Sequence, residues 1–168
     1  TEVLVEETIN IINKNFENKK ISIVDIGTGS GCIAISLKKE ISDLNVVAID
    51  ISNEALKVAK QNAKLNKIEN AEFFVGDVEK TLPEFIEERK ISPDVVFLDP
   101  PRKGCDKTAL ETILKIEPKR RVYVSCNPAT LARDLKILEE KYEIKELSIC
   151  DMFPFTHHAE CVTKLDLK

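Results

Sequence analysis

Val24-Asp25-Ile26-Gly27-Thr28-Gly29-Ser30-Gly31 closes a short apolar run, Ile21 to Ile26, and opens into a helical stretch from Cys32. Three closely spaced glycines let the backbone turn sharply and approach a ligand that side chains would block. The spacing is G-x-G-x-G, not the dinucleotide pattern G-x-G-x-x-G, and no G-x-x-x-x-G-K-[ST] phosphate loop occurs. About 20 residues on, Asp50 ends a second apolar run, where a carboxylate can accept hydrogen bonds from the two hydroxyls of a ribose. Asp77 follows a third run after Gly76, and Asp99 follows a fourth. Any one of these acids reads blandly as a turn residue. Four in order, each at a strand end, make a carboxylate array suited to hydroxyl, amino and positive groups.

Working outward, strand-like and helix-like segments alternate along the chain. Ile21 to Ile26, Asn45 to Asp50, Ala71 to Val75, Asp94 to Leu98 and Arg121 to Ser125 read as short buried strands. Helices are expected over Cys32 to Ile41, Asn53 to Asn66, Val78 to Lys90, Lys107 to Ile116 and Pro128 to Lys141. A leading helix, Val3 to Asn15, places Val5, Ile9 and Ile12 on one face. In the helix after Asp50, Ala55, Leu56, Ala59, Ala63 and Leu65 form the expected apolar stripe. Two further strands, Tyr142 to Asp151 and His157 to Leu167, flank the turn-prone Phe153-Pro154-Phe155-Thr156. Repeated βα order predicts an α/β fold: a mostly parallel seven-stranded sheet, helices on both faces and an antiparallel strand at the C-terminal end. Ligands in such sheets sit at the carboxyl ends of the strands.

The 168 residues are expected to form one domain, residues 1–168. A composition of 43% hydrophobic and 32% charged residues excludes disorder. Five cysteines without a secretory leader read as free thiols of a cytoplasmic protein, and no apolar run is long enough for a membrane span. The opening residue is Thr1, as expected of a domain excised from a longer chain. A net charge of -4 argues against a stand-alone nucleic-acid binder.

The ordered acids and the glycine loop resemble the class I S-adenosylmethionine-dependent methyltransferases, a Rossmann-like fold. The resemblance implies S-adenosyl-L-methionine as cofactor, with Asp25, Gly27, Gly29 and Gly31 beside its methionine part. Asp50 and Ile51 would hold the ribose, Asp77 and Val78 would lie near the adenine, and Asp99 would bridge cofactor and substrate.

The two halves resemble different subfamilies. Thr1-Glu2-Val3-Leu4-Val5, Val24 to Ala34 and Asp50-Ile51-Ser52 look like the protein-glutamine N5-methyltransferases. That family's Asn-Pro-Pro-Tyr motif is replaced here by Asp99-Pro100-Pro101-Arg102. From about Asn66 onward the chain resembles the RNA 5-methyluridine methyltransferases. This rests on Asp99-Pro100-Pro101-Arg102-Lys103-Gly104-Cys105, on Tyr123 to Leu135 around Ser125-Cys126-Asn127-Pro128, and on Asp151 to Val162. Departures are Phe155 where that family has His, Ala159 where it has Val, and a first-strand loop without its aromatic-Cys-Gly pattern. Such a switch near residues 62 to 72 fits a fusion of two homologous domains, natural or deliberate.

The second resemblance implies methylation of uracil carbon 5 in ribosomal or transfer RNA. A thiolate adds at carbon 6 to activate carbon 5, and a base then removes the carbon 5 proton. Cys126 matches the nucleophile and Glu160 the base. Asn127-Pro128 reads as an N-cap and first turn, and a helix N-terminus favours a thiolate. Taken alone, Cys126 would more often be an inert buried thiol; Glu160 would be a solvated strand carboxylate. Pro100, Arg102 and Arg133 are expected at the substrate, although each arginine could instead be a structural ion pair. Adjacent His157 and His158 on a strand point to opposite faces, and no zinc spacing occurs, so no metal is expected. The family's RNA-binding domain has no counterpart in these residues, so RNA binding is expected to be weak. The competing expectations are a glutamine methyltransferase and a folded scaffold without turnover.

Overall fold

The computed structural model describes residues 2–15, 20–69, 71–89, 93–151, 155–156 and 159–168. Among them, helices and strands alternate as expected: α1 (Glu2–Asn15), β1 (Ser22–Ile26), α2 (Cys32–Glu40), β2 (Asn45–Asp50), α3 (Asn53–Leu65), β3 (Ala71–Val75) and α4 (Val78–Arg89). There follow β4 (Val95–Leu98), α5 (Lys107–Ile116), β5 (Arg120–Ser125), α6 (Pro128–Leu138), β6 (Tyr142–Cys150) and β7 (Glu160–Leu167). The strands make the mostly parallel seven-stranded sheet read from the sequence, with an antiparallel pair at its C-terminal end. Two compact units divide the chain, residues 1–81 and 82–168.

In the first unit β1 and β3 each pair with β2 in parallel, Ile26 level with Ile49 and Asp50 level with Val75. Ile23, Val24, Val46, Val47, Ala48 and Ile49 are buried, so these strands read as continuous apolar runs and not as alternating ones. The α3 stripe needs one correction. Leu56, Ala59 and Ala63 are buried, but Leu65 is 80% exposed. Nine helical steps from Leu56 amount to about half a turn beyond whole turns, which aims Leu65 away from the core. Likewise β3 is not a buried strand. Among the described residues it pairs only with β2, and its residues are half-exposed up to an exposed Val75.

In the second unit β4 pairs with β5 in parallel, and β7 runs antiparallel to both β5 and β6. The helix α6 stops at Leu138, three residues before the expected end. Glu140 N–H bonds Ile137 O and Lys141 N–H bonds Leu138 O, the tighter three-residue spacing that commonly ends a helix. The expected first residues of the last strand, His157 and His158, lie outside the described residues.

Candidate active site

The glycine loop is tied down before any ligand is considered. Gly27 and Thr28 N–H both donate to Ile49 O at the end of β2, at 2.9 and 3.1 Å. Asp25, 1% exposed, accepts the Thr28 hydroxyl at 2.7 Å and braces the loop from below. Gly27, Gly29 and Gly31 all have positive φ, which side-chain-bearing residues rarely adopt. Asp50, at the end of β2, accepts Gly29 N–H on Oδ2 and Ser52 N–H on Oδ1, both at 2.8 Å. Each of its oxygens keeps a further acceptor site.

These residues fit an adenosyl group on two counts. A Cβ built at Gly29 would meet only Gly27 O, at 4.0 Å, so the space beside the loop is open. Asp50 is fixed by backbone donors, half-buried and still able to accept hydroxyl hydrogen bonds. Beyond it, Ile51 is 71% exposed, an apolar side chain held in solvent. Asp77 is exposed and Val78 half-buried; Asp77 O caps the start of α4 by accepting Lys80 and Thr81 N–H.

In the second unit, the register brings the other predicted residues to one end of the sheet. The last described β5–β7 pair is Ser125 with Cys161. Cys126 follows that pair in sequence after β5 and Glu160 precedes it at the start of β7, so both stand at the same end of the ladder. Leu98 lies level with Tyr123 on the neighbouring strand, so Asp99 emerges at the same end. Partial desolvation, and after it the Glu160 carboxylate, raise the Asp99 pKa. Cys126 and Glu160 are both half-buried.

Cys126 is bracketed by a tight local network. Ser125 Oγ accepts Asn127 N–H and donates to Asn127 O, each at 3.1 Å. Asn127 is the N-cap of α6, its side chain accepting Ala129 N–H at 3.1 Å, with Pro128 beginning the helix. The expected cap is therefore present, and the thiol-bearing residue stands immediately before it.

The loop after β4 is fastened to the same helix. Arg102 O accepts from Asn127 Nδ2 at 3.4 Å and Thr130 Oγ1 at 3.3 Å. Arg133 Nη2 donates to Lys103 O and Cys105 O, at 3.0 and 3.2 Å, and its Nε donates to Asp134 at 2.8 Å. Arg133 is thus engaged as a clamp on the loop. Arg102 and Pro100 are exposed and half-buried, respectively, on that loop. Sequence reasoning missed Asp134. It is fully buried and accepts Tyr123 OH at 2.5 Å and Cys105 N–H at 2.9 Å, besides Arg133. Burial, chiefly, pushes the Cys105 thiol up to about 11. Gly104 fits closely here: at φ 80°, its added Cβ would lie 2.6 Å from both Arg133 Nη2 and Asp134 Oδ2.

Residues 3–168 match the sequence profile described as tRNA (Uracil-5-)-methyltransferase. The chain belongs to this family. An RNA methyltransferase of Oceanobacillus iheyensis is 44% identical over 169 residues, covering 100% of this chain and 36% of its own length. One from Enterococcus faecalis is 48% identical over 144 residues, 85% of this chain and 31% of the relative. Among solved structures, Pyrococcus abyssi tRNA (uracil-54, C5)-methyltransferase in complex with S-adenosyl-L-homocysteine is similar, with TM-score 0.75 and 33% identity over 96% of this chain and 38% of that one. The fold is therefore that of the class I methyltransferases. The chain spans about a third of the length of the curated relatives it matches.

Family membership corrects the reading of two origins. One profile and a 44%-identical relative extend over both sides of residues 62 to 72, so a junction there has no support, and neither does a glutamine methyltransferase. Among the described residues, no three His, Cys, Asp or Glu are grouped to hold a metal, and no helix is long and apolar enough to cross a membrane. The His157-His158 pair lies outside those residues.

Proposed function

We propose that this chain is the catalytic domain of an S-adenosylmethionine-dependent enzyme that methylates carbon 5 of uracil in RNA. The observation that carries the reading is the β5–β7 ladder, which ends at Ser125 and Cys161 and so leaves Cys126 and Glu160 at one end of the sheet, the end where Asp99 follows β4. Family membership and the S-adenosyl-L-homocysteine complex of the Pyrococcus relative support it.

Asp50 and the open glycine loop are the groups that would hold the cofactor, with Ile51, Asp77 and Val78 beside them. When bound, S-adenosylmethionine supplies an electrophilic methyl group on a sulfonium. The chain's own residues do the rest. The Cys126 thiolate forms a bond to carbon 6 of uracil and shifts the electron pair of the ring double bond toward carbon 5. After methylation, Glu160 takes the carbon 5 proton. The electron pair it leaves restores the double bond and expels Cys126 as thiolate. Asp99, whose pKa is raised by desolvation and by Glu160, would stand between cofactor and substrate. Pro100 and Arg102 would meet the substrate, with Arg133 acting through the loop it clamps.

RNA carrying 5-fluorouridine tests this directly, because fluorine at carbon 5 cannot leave as a proton and the covalent adduct persists. With S-adenosylmethionine present, an adduct stable to denaturing electrophoresis is expected from the native chain and none from Cys126→Ala. Persistence in the variant would remove Cys126 from the mechanism. Calorimetric titration with S-adenosylmethionine should show saturable binding, weakened about tenfold or more in Asp50→Ala.

A further inference from the structure

The chain's acidic balance conceals a local basic surface. On α3, Lys57, Lys60 and Lys64 recur at spacings of three and four residues, and Lys67 follows the helix end. Residues at those spacings share one helix face. Lys57 is paired with Glu54 at 2.7 Å. Lys60, Lys64 and Lys67 are exposed and take part in no ion pair among the described residues.

These three lysines line a groove of about 670 Å³ that runs between α3 and the edge strand β3, within the first unit. Phe73 and Phe74, both half-exposed, line it from β3, and Glu69 and Glu72 contribute carboxylates. Unpaired ammonium groups in a row attract phosphates, and partly exposed aromatic rings offer stacking faces to bases. Carboxylates in the same lining accept from amino groups and 2′-hydroxyls. An unstructured acidic peptide would satisfy the lysines but offers no base to stack on the half-exposed Phe73.

We infer that the groove between α3 and β3 binds a single strand of the substrate RNA, with Lys60, Lys64 and Lys67 on its phosphates. This rests on the RNA-directed reading above and adds to it a surface away from the predicted site residues in sequence.

The probe is a fluorescein-labelled uridine-rich RNA of about twelve nucleotides, within the range one such binding surface covers. Its affinity is measured by anisotropy across a salt series. Single-strand binding changes its log–log salt slope by about 0.7 per phosphate contact, so Lys60→Ala/Lys64→Ala/Lys67→Ala is expected to lower the slope by about two. At low salt its affinity should fall roughly tenfold or more. Removing as many exposed lysines elsewhere, Lys115, Lys136 and Lys145, should leave the slope nearly unchanged. S-adenosylhomocysteine affinity and melting temperature should be unaffected in both triple variants.

An unchanged slope in the groove variant, an equal loss in the control variant, or no RNA binding by the native chain would overturn the inference. So would equal, lysine-dependent binding of an acidic peptide. If cofactor binding fails while the RNA result holds, the methyltransferase reading falls and the groove stands. If cofactor binds but the groove variant behaves as the native chain does, the groove falls and the methyltransferase reading stands.

Discussion

Asp99 shares its end of the sheet with a second carboxylate, and this has a measurable consequence. Desolvation and Glu160 raise its pKa in the fold. A carboxyl with a raised folded pKa contributes stability fully below its unfolded pKa, and loses it as pH rises through the folded value. Ionised Asp99 therefore works against the fold at neutral pH. Asp99→Asn is expected to raise the melting temperature at pH 7, and the gain should vanish near pH 3, below the ordinary carboxylate range of about 4. A gain independent of pH would refute the assigned cause. At Asp134 the opposite holds: a buried acceptor serves Tyr123, Cys105 and Arg133 at once. Asp134→Ala should cost about 2–4 kcal/mol in urea unfolding, with Asp134→Asn less damaging. Asp134 was within reach of sequence reasoning. It sits with Leu131 and Leu138 at core spacing on α6, and a charge on a buried stripe needs a partner.

Between elements, the far end of the β5–β7 ladder is held by a two-pronged ion pair. Arg120 Nε and Nη2 donate to the two Asp166 oxygens at 2.6 and 2.9 Å. The Arg120 guanidinium holds the Asp166 pKa below its ordinary value, so the pair's contribution is present at neutral pH and is lost as pH falls through the depressed value. Asp166→Asn should cost about 1–2 kcal/mol at pH 7 and little in strong acid, read by unfolding at each pH. Most elements were legible because buried parallel strands are short apolar runs and their helices begin at cap residues. Arg121 was not: in a strand read as apolar, its guanidinium is wholly buried over the Tyr142 ring at 3.2 Å, with one hydrogen bond to Ile113 O. Burial lowers its pKa to about 10. Its ring partner is on β6, and period-two patterning carries no information about the next strand.

For the molecule as a whole, the division of resemblance between two subfamilies has a physical origin. A strand, a glycine turn and an acid at the next strand end meet demands common to the entire fold class, so the first 65 or so residues carry little about the substrate. Loops after β4 and β5 are where related enzymes can differ, and there the motifs were specific. That Cys126 and Glu160 come to the same end of the sheet could not be read from spacing, since it depends on a strand that returns antiparallel late in the chain. An overall count of -4 says nothing of how charge is distributed, and Lys60, Lys64 and Lys67 lie close together on and just after α3.

One edge of the sheet bears on how the protein behaves in concentrated solution. From Glu143 to Cys150, β6 is exposed residue after residue, Ile144, Leu147 and Ile149 among them. A long apolar edge is a template on which other strands can add. Here Glu143, Lys145 and Glu146 interrupt it, and the register slips between Ile144 and Glu146. Those charges and that irregularity act as gatekeepers against self-association. Replacing Glu143, Lys145 and Glu146 together with Thr should leave the fold intact but drive concentration-dependent aggregation, visible as light scattering where the native chain stays clear.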